Sequence, residues 1–231
     1  MHQISNYVYA DDALLGMDIP TKRLPNPYQD FPYLVFEGVL SPELCKAITA
    51  TTYNKTTTQQ ATLRGGDLNT SIRNTLISTL SVEHQAYYDA MMEQYRSEIE
   101  SFFSMVLKGA SPVQVLAYEP GDFYAQHADD SSQLVSKEQE CIGYKVVAPE
   151  RKITTVLFTT SYTPHPTDKE HFSGGELLFN YLSDIHGNTI RLRPEAGDMV
   201  VFLSNPYFSH EVLPVKEGYR VSLAQWHDAL G

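Results

Sequence analysis

From Gly109 to the C-terminus the chain breaks into short runs of alternating or β-rich residues, parted by Gly, Pro and Asp. Eight such runs, at 113–118, 124–127, 152–159, 175–179, 189–192, 199–203, 210–214 and 220–226, follow one another with no helical repeat between them. Short strands in series, joined by turns, point to a double-sheet barrel or jelly roll. Residues 131–150 form an insertion between two of the runs. Gly174-Gly175 suits a tight bend with positive φ before a strand, and Gly197-Asp198 and Gly218 fit hairpin turns.

The front of the chain has a different pattern. Pro20, Pro25 and Pro27 disfavour helix, so residues 1–30 read as an extended arm. Tyr33-Leu34-Val35-Phe36 is a short strand-forming run. Ser41-Pro42 reads as a helix start, because serine caps well and proline suits the first turn. Residues 49–62 are polar, and Ser71-Ile72-Arg73 is a short strand candidate. A helix is expected over 81–105, where Tyr88, Met91, Met92, Tyr95, Ile99, Phe102 and Phe103 recur at steps of three and four and form a core stripe. The expected class is therefore α+β, mainly β: an arm and α-rich support region over 1–110, and a β core over 111–231.

The chain has 231 residues, enough for a sizeable core without disulfide staples. Its two cysteines, Cys45 and Cys141, exclude a disulfide framework and a multi-cysteine zinc site. A net charge of −11 argues against non-specific nucleic acid or anionic membrane partners. No apolar run approaches the roughly 20 residues of a membrane span, and Met1 to Ala10 shows no secretory pattern. A cytoplasmic location is the expectation.

The chemistry concentrates in the β half. In His127-Ala128-Asp129 the two polar residues are i and i+2, so on a strand they share a face and can reach one metal ion. His210, at the start of a later run, is the candidate third ligand. Two histidines and one carboxylate form the facial triad of non-haem iron(II) oxygenases, which leaves coordination positions open. Arg220 lies ten residues after His210 and opens the next strand, with Ser222 on the same side. A guanidinium facing a barrel interior needs an anion, and its fork matches a carboxylate. His165 and His171 fall in a mixed-charge loop, His186 in an exposed turn, and Trp226 in the core or a pocket wall.

At these residues the chain resembles the Fe(II)/2-oxoglutarate-dependent dioxygenases, prolyl 4-hydroxylase branch. The matching motifs are Tyr118-Glu119-Pro120-Gly121-Asp122, His127-Ala128-Asp129, Arg151-Lys152-Ile153-Thr154-Thr155, Gly174-Gly175-Glu176-Leu177, Gly197-Asp198-Met199, His210-Glu211-Val212 and Arg220-Val221-Ser222. The resemblance covers roughly residues 112–228. It implies a double-stranded β-helix with His127, Asp129 and His210 as ligands of Fe(II). It implies that Arg220 holds the distal carboxylate of 2-oxoglutarate, with Tyr118 near the cosubstrate. In the hypoxia-sensing prolyl hydroxylases a tyrosine stands where this chain has Phe158, so Thr154 or Ser222 is expected to supply the missing hydrogen bond.

The activity implied is hydroxylation of an unactivated C–H bond with release of succinate and CO2, using molecular oxygen, with ascorbate as a reductant. A prolyl residue of a peptide or protein is the substrate implied by the branch, with a free amino acid or small metabolite as the alternative. Two readings of other classes stand beside it: a cupin-like metal-binding or sensor protein without turnover, and an inert β-barrel interaction domain. Against the cupin, His-x-His with a glutamate is absent.

Overall fold

In a computed structural model, which describes residues 2–3, 33–53, 59–60, 73–135, 141–184 and 186–231, the strand Ile153–Phe158 is buried along its whole length. It lies in the middle of a major sheet, between Met199–Leu203 and Arg220–Leu230. Leu34–Phe36 extends that sheet beyond Met199–Leu203. Gln114–Tyr118, Leu76–Thr79 and Gln59–Gln60 follow on the other side. Val106–Ala110 pairs with the far end of Arg220–Leu230.

A minor sheet faces it, in the order His2–Gln3, Leu177–Ser183, His210–Val212, Phe123–His127 and Arg73–Asn74, with Thr189–Leu192 also on Leu177–Ser183. All these ladders are antiparallel, as short connections allow. The architecture is the expected mainly β double-stranded β-helix, with two helices among the described residues. Strands from before residue 111 join both sheets. The arm other than His2–Gln3, and Ser71-Ile72, lie outside the described residues.

The two helices arise as the sequence indicates. Ser41 caps α1 (Pro42–Thr51), its Oγ accepting from the Leu44 N–H at 3.3 Å with Pro42 in the first turn. Ser81 caps α2 (Val82–Phe103), accepting from His84 N–H at 3.1 Å. Tyr88, Met91, Met92, Ile99 and Phe103 of the expected stripe are buried. The insertion after Asp130 is a two-stranded hairpin, Ser131–Val135 with Cys141–Val146. A third small sheet joins Ser161–Tyr162, His171–Gly174 and Val215–Gly218. Gly174 and Gly175 take φ of +67° and +63°, as a tight bend there requires.

Strand parity divides the molecule into two interiors. Thr154 and Val156, Ser222, Ala224 and Trp226, and Leu116 and Tyr118 line one cavity between the sheets. Their odd-numbered neighbours Val115, Ala117, Ile153, Leu157, Val221 and Leu223 belong to the main apolar core, together with Tyr88, Met91 and Ile99 of α2. His227 belongs to that second side. Its Nε2 lies 3.1 Å from Thr155 Oγ1, which lies 3.1 Å from the Tyr88 hydroxyl.

Burial pushes the His227 imidazole down to about 4, with Arg96 adding to the effect. A depressed folded-state value means that the unfolded chain takes the proton first. The stability tied to His227 is thus whole above the ordinary 6.5 and is lost as pH falls from 6.5 toward 4. The gap corresponds to a loss on the order of 3 kcal/mol, at about 1.36 kcal/mol per pKa unit. Urea unfolding at pH 7.5 and pH 5 is expected to show about 2 kcal/mol of this loss in the wild type, the part that falls between 6.5 and 5, and much less of it in His227→Gln. Equal acid sensitivity in the two proteins would count against this assignment.

Candidate metal centre

Pairing of two minor-sheet strands puts His127 directly opposite His210. Their rings are 4.3 Å apart between centroids. Asp129 follows two residues after His127, where its N–H donates to the Ser204 carbonyl. Oδ1 of Asp129 is then 3.7 Å from His127 Nε2, and Oδ2 is 3.8 Å from His210 Nε2. All three donor groups lie within 4.8 Å of one another, and they are the one such cluster among the described residues.

The protonation pattern follows from the partners. His127 Nδ1 is 2.9 Å from the Ala125 carbonyl, and His210 Nδ1 is 2.9 Å from the Phe208 carbonyl. A carbonyl only accepts, so each Nδ1 carries the hydrogen and each Nε2 presents its lone pair. Burial, reinforced by His210, holds the His127 imidazole down to about 3, which keeps it in the neutral ligating form. Burial alone would raise the Asp129 carboxyl, but His210, His127 and the Thr154 hydroxyl outweigh it and leave it below its usual range. Two nitrogen lone pairs and a carboxylate therefore converge on a gap too wide for direct hydrogen bonds. A cation fits that donor set, and the chemistry is the two-histidine, one-carboxylate set of non-haem iron.

Asp129 is held by a directed chain. Thr154 Oγ1 donates to Asp129 Oδ2 at 2.7 Å, and Ser204 Oγ lies 2.8 Å from Thr154. Thr154 has one hydroxyl hydrogen, and it is committed to the carboxylate rather than free for a cosubstrate. Arg151 donates to the Asp129 carbonyl at 3.1 Å and stacks on the Trp226 ring at 3.9 Å. Outer partners of this kind are worth roughly 10–100-fold in metal affinity. Thr154→Val is expected to lower affinity by that factor with the fold intact, as read by anaerobic metal titration. Unchanged affinity would mean that Asp129 needs no such support.

The same cavity holds Arg220, which is 1% exposed. Its Nε donates to the Gly175 carbonyl at 2.8 Å and one Nη to Ser222 Oγ at 3.1 Å. The rings of Tyr118, Phe158 and Phe172 surround its Cζ at 4.8, 5.2 and 5.9 Å. Gly175 is required here: a Cβ on it would meet Arg220 Cδ at 3.0 Å and Val215 Cγ2 at 2.9 Å. No carboxylate among the described residues pairs with the guanidinium, and burial pulls its pKa down. The Tyr118 hydroxyl is buried nearby with no hydrogen-bond partner among the described residues. A buried cation beside an orphaned hydroxyl is a place built for an oxyanion.

The structure thus brings His127, Asp129, His210, Arg220, Tyr118, Ser222 and Thr154 to one cavity. It adds Arg73, which carries no functional signal in sequence because it sits alone in a polar stretch. His171, by contrast, hydrogen-bonds Asp168 at 2.7 Å on the surface, away from any cluster of ligands.

A double-stranded β-helix with such a donor set across its minor sheet defines the class of non-haem metal oxygenases. The comparisons agree. The model of the 2OG-Fe(II) oxygenase superfamily matches residues 113–228, and the chain belongs to that family. It is 2-oxoglutarate-dependent and takes Fe(II). Over 223 residues it is 24% identical to a protein of Acanthamoeba polyphaga mimivirus whose name proposes a prolyl 4-hydroxylase, covering 93% of this chain and 81% of that one. Its fold is similar to a Trichoplax adhaerens prolyl hydroxylase solved with a hypoxia inducible factor peptide, with a TM-score of 0.66, 15% identity and coverage of 88% and 86%. It is also similar to a Pseudomonas putida prolyl-4-hydroxylase, with a TM-score of 0.61, 24% identity and coverage of 87% and 95%.

Proposed function

We propose that this chain hydroxylates a prolyl residue of a peptide or protein. His127, Asp129 and His210 would hold Fe(II), and Arg220 would hold the distal carboxylate of 2-oxoglutarate. The observation that carries the reading is the buried Arg220 guanidinium, with no carboxylate among the described residues paired to it, in the same cavity as the three ligands. The prolyl assignment is supported by the names of the relatives in sequence and fold.

When bound, iron and 2-oxoglutarate supply the oxidative decarboxylation, to succinate and CO2, that drives insertion of oxygen into a C–H bond. The chain's own part is geometric and electrostatic. His127 and His210 present lone pairs because their Nδ1 hydrogens are tied to backbone carbonyls. Asp129 stays ionised and fixed by Thr154. Arg220, Ser222 and the Tyr118 hydroxyl set the position of a dianion, with Tyr118 taking over from the hydroxyl that Phe158 lacks. Leu116, Val156, Leu177 and Val212 make the wall apolar and keep water from a reactive oxidant.

The test begins with purified protein loaded anaerobically with Fe(II) and 2-oxoglutarate, which should develop a weak visible charge-transfer band. Under air, succinate release should then rise with proline-containing peptides, and the peptide should gain one oxygen on proline. Release that responds only to free amino acids or other metabolites would refute the peptidyl reading. Absence of the band in the wild type would refute the cosubstrate site itself.

A further inference from the structure

Arg73 is a second buried guanidinium in the cavity of the metal centre, and the site described so far gives it no task. It stands at the edge of the minor sheet, paired in register with Tyr124. Its side chain is 7% exposed and lies 4.5 Å above the Tyr124 ring, which itself stacks on His127 at 3.6 Å between centroids. The stack places this cation beside the metal ligands, whereas Arg220 enters from the major sheet inside its own cage of rings. Among the described residues no carboxylate pairs with Arg73, and none offers a hydrogen-bond acceptor to its Nε, which is sealed from solvent.

The charges of the cavity do not balance. Arg73 and Arg220 contribute two positive charges to the cavity and Asp129 one negative. Fe(II) and the 2-oxoglutarate dianion cancel each other. One positive charge is left over in a largely apolar cavity, where an unpaired buried charge is costly. A peptide carbonyl would accept a hydrogen bond from Arg73 but would not neutralise it. A carboxylate does both, through the two-pronged geometry a guanidinium favours.

We propose that Arg73 anchors a carboxylate borne by the substrate next to the reacting carbon. The proposal rests on the prolyl hydroxylase reading and narrows it: the prolyl substrate carries a negative charge at the site of reaction. That charge has two sources, the free carboxylate of a C-terminal proline or the side chain of an acidic residue flanking an internal one.

The chain has a single tryptophan, Trp226, and it lines this cavity, so its fluorescence reports binding without turnover. Three probes would be titrated into metal-free protein and into the anaerobic Fe(II)/2-oxoglutarate complex. They are glycyl-proline, its C-terminal amide, and an amidated, acetylated peptide with aspartate beside an internal proline. Loss of a buried charge pair predicts that at least one carboxylate probe binds about 30-fold or more tightly than the amide. Whichever of the two binds names the source.

Arg73→Met should erase the preference, and Arg73→Lys should keep part of it. Both should keep wild-type affinity for 2-oxoglutarate, which a general loss of structure would not spare. Equal binding of all three probes by the wild type overturns the proposal, and so does a preference that survives in Arg73→Met. The wild-type comparison decides the matter even if a variant fails to fold. A wild type that binds carboxylate probes in the metal-free state but shows no band with Fe(II) and 2-oxoglutarate separates failure of the broader reading from failure of this one.

Discussion

Arg220→Met is expected to weaken 2-oxoglutarate binding roughly 30- to 3,000-fold while leaving Fe(II) binding in place. The range follows from truncating one partner of a buried, hydrogen-bonded charge pair, which costs roughly 2–5 kcal/mol, at about 1.4 kcal/mol per tenfold. The more telling result concerns the cosubstrate-free protein. There Arg220 is 1% exposed, its guanidinium is surrounded by Tyr118, Phe158 and Phe172, and no carboxylate among the described residues pairs with it. Methionine is volume-matched to such a cage, and its sulfur packs well against rings. Removing the unpaired charge relieves a desolvation penalty, while the Gly175 carbonyl and Ser222 lose a donor and limit the gain. The variant should thus melt at or above the wild-type temperature without 2-oxoglutarate and lose the increase that 2-oxoglutarate gives the wild type. A clear drop in melting temperature in the free state would make Arg220 a structural residue.

Asp129→Asn should remove Fe(II) binding almost completely. Asp129 is the only carboxylate of the cluster, and it is 8% exposed between the two imidazoles. Its loss should exceed the roughly 10–100-fold effect of an outer partner, because both the charge and a coordinating oxygen change. Asparagine keeps the shape and can still accept from Thr154, so the fold should survive. Anaerobic titration should show no charge-transfer band at concentrations that saturate the wild type. A variant with near-wild-type affinity would move the metal away from this cluster. Paired with Thr154→Val, the result also apportions the site: Asp129→Asn removes the ligand, whereas Thr154→Val only loosens it.

Much of the site was legible because its signals are local. His127 and Asp129 are two residues apart, so a strand alone puts them on one face. His210 and Arg220 each open a β-rich run, where a polar residue stands out. Arg73 was not legible, because its meaning depends on register with Tyr124 across the sheet edge. The task of Thr154 was only partly legible: parity places it in the cavity, but its bond to Asp129 is tertiary. The same contrast holds for the fold. The α2 stripe, Tyr88 to Phe103, repeats over about four turns and is plain, whereas Val106–Ala110 buries only Leu107 and shows no alternation. That strand exists because the far end of Arg220–Leu230 offers it an open edge.

The strand Arg220–Leu230 serves two interiors at once. Its even positions Arg220, Ser222, Ala224 and Trp226 face the cavity, and Val221, Leu223 and His227 face the core under α2. A single residue inserted or deleted between Arg220 and Trp226 would exchange the two sets, sending Trp226 or Arg220 into the core and an aliphatic side chain to the cosubstrate. In evolutionary terms the segment is free to change its letters but not its length. Among distant relatives, variation in spacing should therefore collect in the turns that flank this strand, where a register error can be absorbed before the arginine is reached.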